Sequence, residues 1–163
     1  MNKKEINLSI IDESIQLEIN MSNLYSLFHD FFPENNEFWR DLYLEERNHA
    51  KLLRKIKDSF LDEKEEYPEE LFSKSLDSLK SSNALVGEFI KKYTKKPPSP
   101  TEACEVAIHF ESMAGEIHFD RFFNRSSSTD FEKVFFKLNG SDKDHKLRIK
   151  EYLKKISART PNL

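Results

Sequence analysis

An acid and a histidine stand where helical periodicity asks for apolar side chains, and that placement constrains this chain more than any other feature. Residues 42–53 read LYLEERNHAKLL, and the apolar positions Trp39, Leu42, Leu53, Ile56 and Phe60 step by threes and fours along one helical stripe. Glu46 and His49 continue that stripe, so helix geometry turns both toward the core. Buried without partners, a carboxylate and an imidazole would each cost several kcal/mol, so the chain has to supply something for them to bind.

A second anomaly of the same form lies near the C-terminus. Phe131, Phe135, Leu138, Asp142, His145, Ile149, Tyr152 and Ile156 follow an unbroken 4-3 stripe, again interrupted by an acid and a histidine three residues apart. Of the five histidines only His49 and His145 have an acid three residues before them. His29 and His109 have no such acid and read as surface or boundary residues. An inward Glu-x-x-His pair on each of two helices, with a lone inward glutamate on each of two others, is how four-helix bundles hold a pair of metal ions.

The lone carboxylates are present. One stripe runs Ile11, Ile15, Glu18, Tyr25, Phe28 and Phe32, with Met21 or Ser22 filling the turn between, and Glu18 is its only acid. Another runs Cys104, Ala107, Glu111, Ala114, His118 and Phe122, and Glu111 is its only acid. Glu18 precedes Glu46 by 28 residues and Glu111 precedes Asp142 by 31, which reads as a weak internal duplication. Four carboxylates and two imidazoles are expected at one level of a bundle.

Composition agrees with an all-α chain: 34% charged residues with only three glycines favour helix over sheet. At 163 residues it is read as a single domain over 1–163. Prolines divide it into helices over 7–31, 35–62, 100–123 and 130–157. Ser99-Pro100-Thr101-Glu102 and Thr129-Asp130-Phe131-Glu132 read as capping boxes for the last two. Asn139-Gly140 disfavours helix, yet the stripe keeps its phase across the glycine, so a continuous helix is expected. The 61–100 connection is too long for a hairpin loop and is expected to carry short helices, one with Leu85, Val86, Phe89, Ile90 and Tyr93 on its apolar side. The architecture expected is two antiparallel hairpins joined by a long crossover.

Other classes of function are disfavoured. A net charge of −3 calls for neither nucleic acid nor an anionic membrane. No apolar run reaches the length of a membrane span, and MNKKEINLSI lacks the apolar core of a secretory signal, so a cytoplasmic location is expected. The single cysteine, Cys104, excludes an internal disulfide and any four-cysteine metal site within the chain, and reads as a small core filler.

The runs LEINMSNLYSLF, EERNHAKLL, AIHFESMAGEIHF and FFKLNGSDKDHKLRIKEYL resemble the rubrerythrin branch of the ferritin-like di-iron proteins. In that family a glutamate is followed seven residues later by tyrosine and ten later by phenylalanine, as Glu18 is by Tyr25 and Phe28. Glu46, His49 and Ala50 match its E-x-x-H-A, Glu111 its lone third-helix glutamate, and Asp142 with His145 its last E-x-x-H, aspartate replacing glutamate. The chain departs in lacking the rubredoxin-like domain, and in having Ala114 where rubrerythrins carry a further glutamate.

The resemblance implies a ferritin-like four-helix bundle holding two iron ions, with manganese or a mixed pair as alternatives. Glu46 and Asp142 would bridge the metals, while Glu18, Glu111, His49 and His145 would bind terminally. Tyr25 and His118, two turns along from Glu18 and Glu111, are candidates to support the ligands in catalysis. The activity implied is reduction of peroxide or dioxygen, or oxidation of ferrous iron, with electrons from an external donor. A homodimer accords with the family's habit of pairing through helix faces. Two other readings stay open: a di-iron oxygenase with a pocket beside Ala107, Ala114 and Gly115, and a metal-binding or structural bundle without turnover.

Overall fold

The computed structural model describes residues 3–62, 76–119 and 130–159, and among these the only regular structure is helical. α1 spans Lys3–Phe31, α2 Asn36–Leu61, α3 Leu76–Lys95, α4 Pro100–Phe119 and α5 Asp130–Arg159. Pro33 ends the first helix as expected, and a single 3-10 turn, Pro33–Asn35, reverses the chain. His29 Nδ1–H fastens that turn by donating to the Asn36 carbonyl at 2.9 Å.

Contacts fix the helix directions. Asp12 meets Lys57, Glu18 meets His49 and Ser22 meets Tyr43, so α2 runs antiparallel to α1. Glu45 meets His145 and Phe38 stacks on Tyr152, so α5 runs antiparallel to α2. Asn83 and Tyr93 of α3 reach Glu13 and Phe28 of α1 in parallel order. Phe89 and Phe110, with Lys92 and Glu102, make α4 antiparallel to α3.

The described part of the crossover is one helix of 20 residues and not a set of short ones. Val86 and Tyr93 are fully buried, while Leu85, Phe89 and Ile90 pack against the core at its edge. What holds α3 along α1 is polar as well as apolar. Asn83 Nδ2 donates to the Glu13 carbonyl and carboxylate at 2.9 and 2.7 Å, and Asn20 Nδ2 donates to Asn83 Oδ1 at 3.0 Å.

The core below the acidic cluster is aromatic. Trp39 is fully buried, with Phe28 and Phe38 edge-on at 4.9 and 5.0 Å and with Tyr25 and Tyr152 at 5.8 and 6.0 Å. One side chain thereby ties α1, α2 and α5 together. Cys104 is also buried, and burial pushes its thiol up to about 12, so it packs as an inert apolar group.

Two local expectations concern helix starts and breaks. Ser99 Oγ accepts from the Glu102 amide at 3.1 Å, capping α4, while the Glu102 carboxylate turns to Lys92 and Tyr93. The capping box at Thr129 begins outside the described residues. α5 passes through Asn139-Gly140 without a break. A Cβ at Gly140 would meet nothing within 4 Å, so Gly140→Ala should remove backbone entropy from the unfolded chain at no steric cost. The expected gain is about 0.5–1 kcal/mol, read as a rise of about 1–4 °C in the thermal midpoint.

Candidate metal centre

Helical spacing puts Glu18 on α1, Glu46 and His49 on α2, Glu111 on α4, and Asp142 and His145 on α5, and the structure buries all six. Each is no more than 5% exposed. Stripes that are apolar on both sides force this burial: Ile15 and Met21 flank Glu18, Leu42 and Leu53 flank Glu46 and His49, and Leu138 and Ile149 flank Asp142 and His145.

Five of the six form two groupings that share one residue. Glu18, Glu46 and His49 bring ligand atoms within 4.8 Å of one another, and so do Glu46, Glu111 and His145. His49 Nδ1 lies 3.0 Å from Glu46 Oε2 and 3.3 Å from Glu18 Oε2. His145 Nδ1 lies 2.9 Å from Glu46 Oε1 and 3.5 Å from Glu111 Oε1, yet makes a well-aligned hydrogen bond to neither. The two imidazole rings stack at 5.5 Å across the shared carboxylate. Asp142 belongs to neither grouping by atom distance. It still feels the charges of Glu18, Glu111 and Glu46, and its buried Oδ2 has no hydrogen-bond partner among the described residues.

Electrostatics show how unfavourable this concentration of carboxylates is without a cation. Burial, reinforced by the Glu46 charge, pushes Glu18 up to about 7. Burial and the charges of Glu18, Glu111 and Glu46 push Asp142 well above the carboxylate range. For His49 burial acts downward, but the Glu18 and Glu46 carboxylates outweigh it and hold the imidazole up to about 10. Burial would raise Glu46, but the close imidazoles of His145 and His49 hold it below its ordinary value. Protons are thus shared among groups whose chemistry, oxygen-rich with two imidazoles, suits divalent cations.

The surroundings of the cluster are polar where they need to be. Tyr25, buried on α1, donates its hydroxyl to Glu111 Oε1 at 2.5 Å, and burial together with the Glu111 charge keeps it a neutral phenol. The side chains of His118 and Ala114 lie outside the described residues, as do the surroundings of Gly115. Ala107 is fully buried in the core. His29 and His109 sit away from the cluster, against Tyr43 and Phe110.

Sequence reasoning missed Glu45. His145 Nε2–H donates to Glu45 Oε2 at 2.7 Å, and Arg148 Nη1 donates to both Glu45 oxygens at 3.0 and 2.9 Å. The hydrogen bond from His145, with that from Arg148, overcomes burial and lowers Glu45 to about 2. This contact fixes the ring's orientation, since with Nε2 turned to Glu45 it is Nδ1 that faces the acids. The signal available was an acid one residue before the inward Glu46 and a cation three residues after His145. Their pairing spans 103 residues and has no local signature.

Fold and site together define a class: an all-helical protein whose buried carboxylate and imidazole groupings could hold metal ions. No family model matches this chain, and no curated protein or solved structure matches it. No helix among the described residues is long and apolar enough to cross a membrane.

Proposed function

We propose that this chain is a non-haem di-iron oxidoreductase of the rubrerythrin-like kind, built on a ferritin-like bundle and reducing peroxide or dioxygen with electrons from an external donor. The observation that carries the reading is that Glu46 belongs to both buried Glu/Glu/His groupings, as a carboxylate between two metals must. Glu18 and His49 would complete one metal's ligands, and Glu111 and His145 the other's. Asp142, with a buried oxygen that has no hydrogen-bond partner among the described residues, would be the second carboxylate to hold both metals, as the resemblance implies. Four carboxylates offset the charge of two divalent ions, which lets the cluster stay buried. When bound, an iron pair supplies two electrons to peroxide. Tyr25 holds Glu111 in place through its hydroxyl, and Glu45 holds His145 with Nδ1 toward the metals.

Ferrous protein treated with hydrogen peroxide should oxidise two irons per peroxide, followed by absorbance. Iron that stays ferrous under excess peroxide would remove the reading, while retained metal would leave a binding bundle without turnover.

Two further outcomes follow from the electrostatics. Metal binding should displace protons, because ligands must shed them to bind. More should be released at pH 6, below the Glu18 value of about 7, than at pH 8, above it. A pH indicator in weakly buffered solution reads this directly. Glu45→Gln should weaken metal binding by roughly 10–100-fold through loss of the ring's orientation, with the helical circular dichroism unchanged.

A further inference from the structure

On the outer side of the α1–α2 hairpin, away from α4 and α5, lies a groove of about 400 Å³. Its α2 wall carries Arg47, Lys51 and Arg54, at i, i+4 and i+7, so three cations follow one helical stripe about 10 Å long. All three are exposed, and none has a hydrogen bond or ion pair among the described residues. None of the nine residues lining the groove is acidic, although the chain as a whole carries a net charge of −3. The facing wall of α1 offers Asn23 and Ser26, whose side chains are likewise uncommitted, and half-buried Ile19 and Tyr43 add apolar surface.

We propose that this groove binds a small phosphorylated organic molecule, independently of the metal centre. Guanidinium forks match phosphate oxygens two at a time and lysine adds a point charge, so two arginines flanking a lysine suit a phosphate chain. Asn23 and Ser26 supply hydrogen bonds from the opposite side. The apolar surface of Ile19 and the Tyr43 ring has no use for inorganic phosphate and receives the organic part. A volume of about 400 Å³ falls within the ~300–1,000 Å³ of small-molecule sites. An acidic protein partner would need roughly 800 Å² of matched surface, far more than this one short stripe of cations presents.

The test is calorimetric titration of the intact chain at low salt with ADP, pyrophosphate and poly-glutamate, run with iron bound and again after its removal. Measurement without iron excludes phosphate binding to the metals, so failure here is separable from failure of the di-iron reading. The expected result is saturable binding of one ADP per chain in both states, tighter than pyrophosphate. Lys51→Gln and Arg54→Gln should each weaken it by roughly tenfold or more, with folding unaffected because both side chains are exposed. Absence of saturable ADP binding overturns the proposal, as does binding that survives both substitutions. Pyrophosphate binding as tightly as ADP removes the organic part of the ligand. Binding of poly-glutamate alone overturns the proposal in favour of an acidic protein partner.

Discussion

Glu46→Ala is expected to take the chain from two bound metals to almost none, a larger effect than any other single substitution in the cluster. Each of Glu18, His49, Glu111 and His145 belongs to one grouping, whereas Glu46 belongs to both. Removing it also deprives His49 of a 3.0 Å partner and His145 of a 2.9 Å neighbour, so both imidazoles lose a charge that holds them in place. Glu18→Ala or Glu111→Ala should weaken one position and spare the other. Elemental analysis of the three variants, prepared alike, separates the cases. Equal losses in all three would mean that Glu46 is not shared.

Trp39→Ala should be the most destabilising core substitution, at about 3–5 kcal/mol. The indole is fully buried and touches rings from three helices, so its loss leaves a void where α1, α2 and α5 meet. For a chain of this length that corresponds to a fall of roughly 6–20 °C in the thermal midpoint. Trp39→Phe should cost much less. It keeps most of the ring contact and removes a buried indole N–H that has no hydrogen-bond partner among the described residues. Thermal denaturation of both variants checks the difference, and a phenylalanine variant as unstable as alanine would contradict the packing argument.

The inward acids and histidines were legible because a helix repeats every 3.6 residues. A carboxylate in phase with Leu42 and Leu53, or with Leu138 and Ile149, has nowhere to point except the core, and burial of Glu46, His49, Asp142 and His145 follows from local sequence. Helix type and the break at Pro33 were legible for similar reasons, since proline removes a donor and fixes its backbone. The continuity of α5 through Gly140 could be read from phase alone.

The rest depended on contacts between distant segments. α3 looked like a short helix because only its Leu85–Tyr93 half is strongly apolar, while its other half is fastened to α1 through Asn83 and Asn20, residues that in isolation read as solvent-facing. Glu45 looked like surface charge because its value to the site comes from His145 and Arg148, about 100 positions away. The unpaired cations of the α1–α2 groove escaped notice because a sequence shows charges but not which of them lack partners. Local periodicity fixes what is buried, and only packing reveals what buried groups are held by.

The central claim is that two metal ions share Glu46 inside the bundle. Metal content per chain, measured on protein produced with iron in the medium and freed of loosely bound ions, tests it most directly. Two metal ions per chain is the predicted result. A chain that retains one or none after iron loading would contradict it.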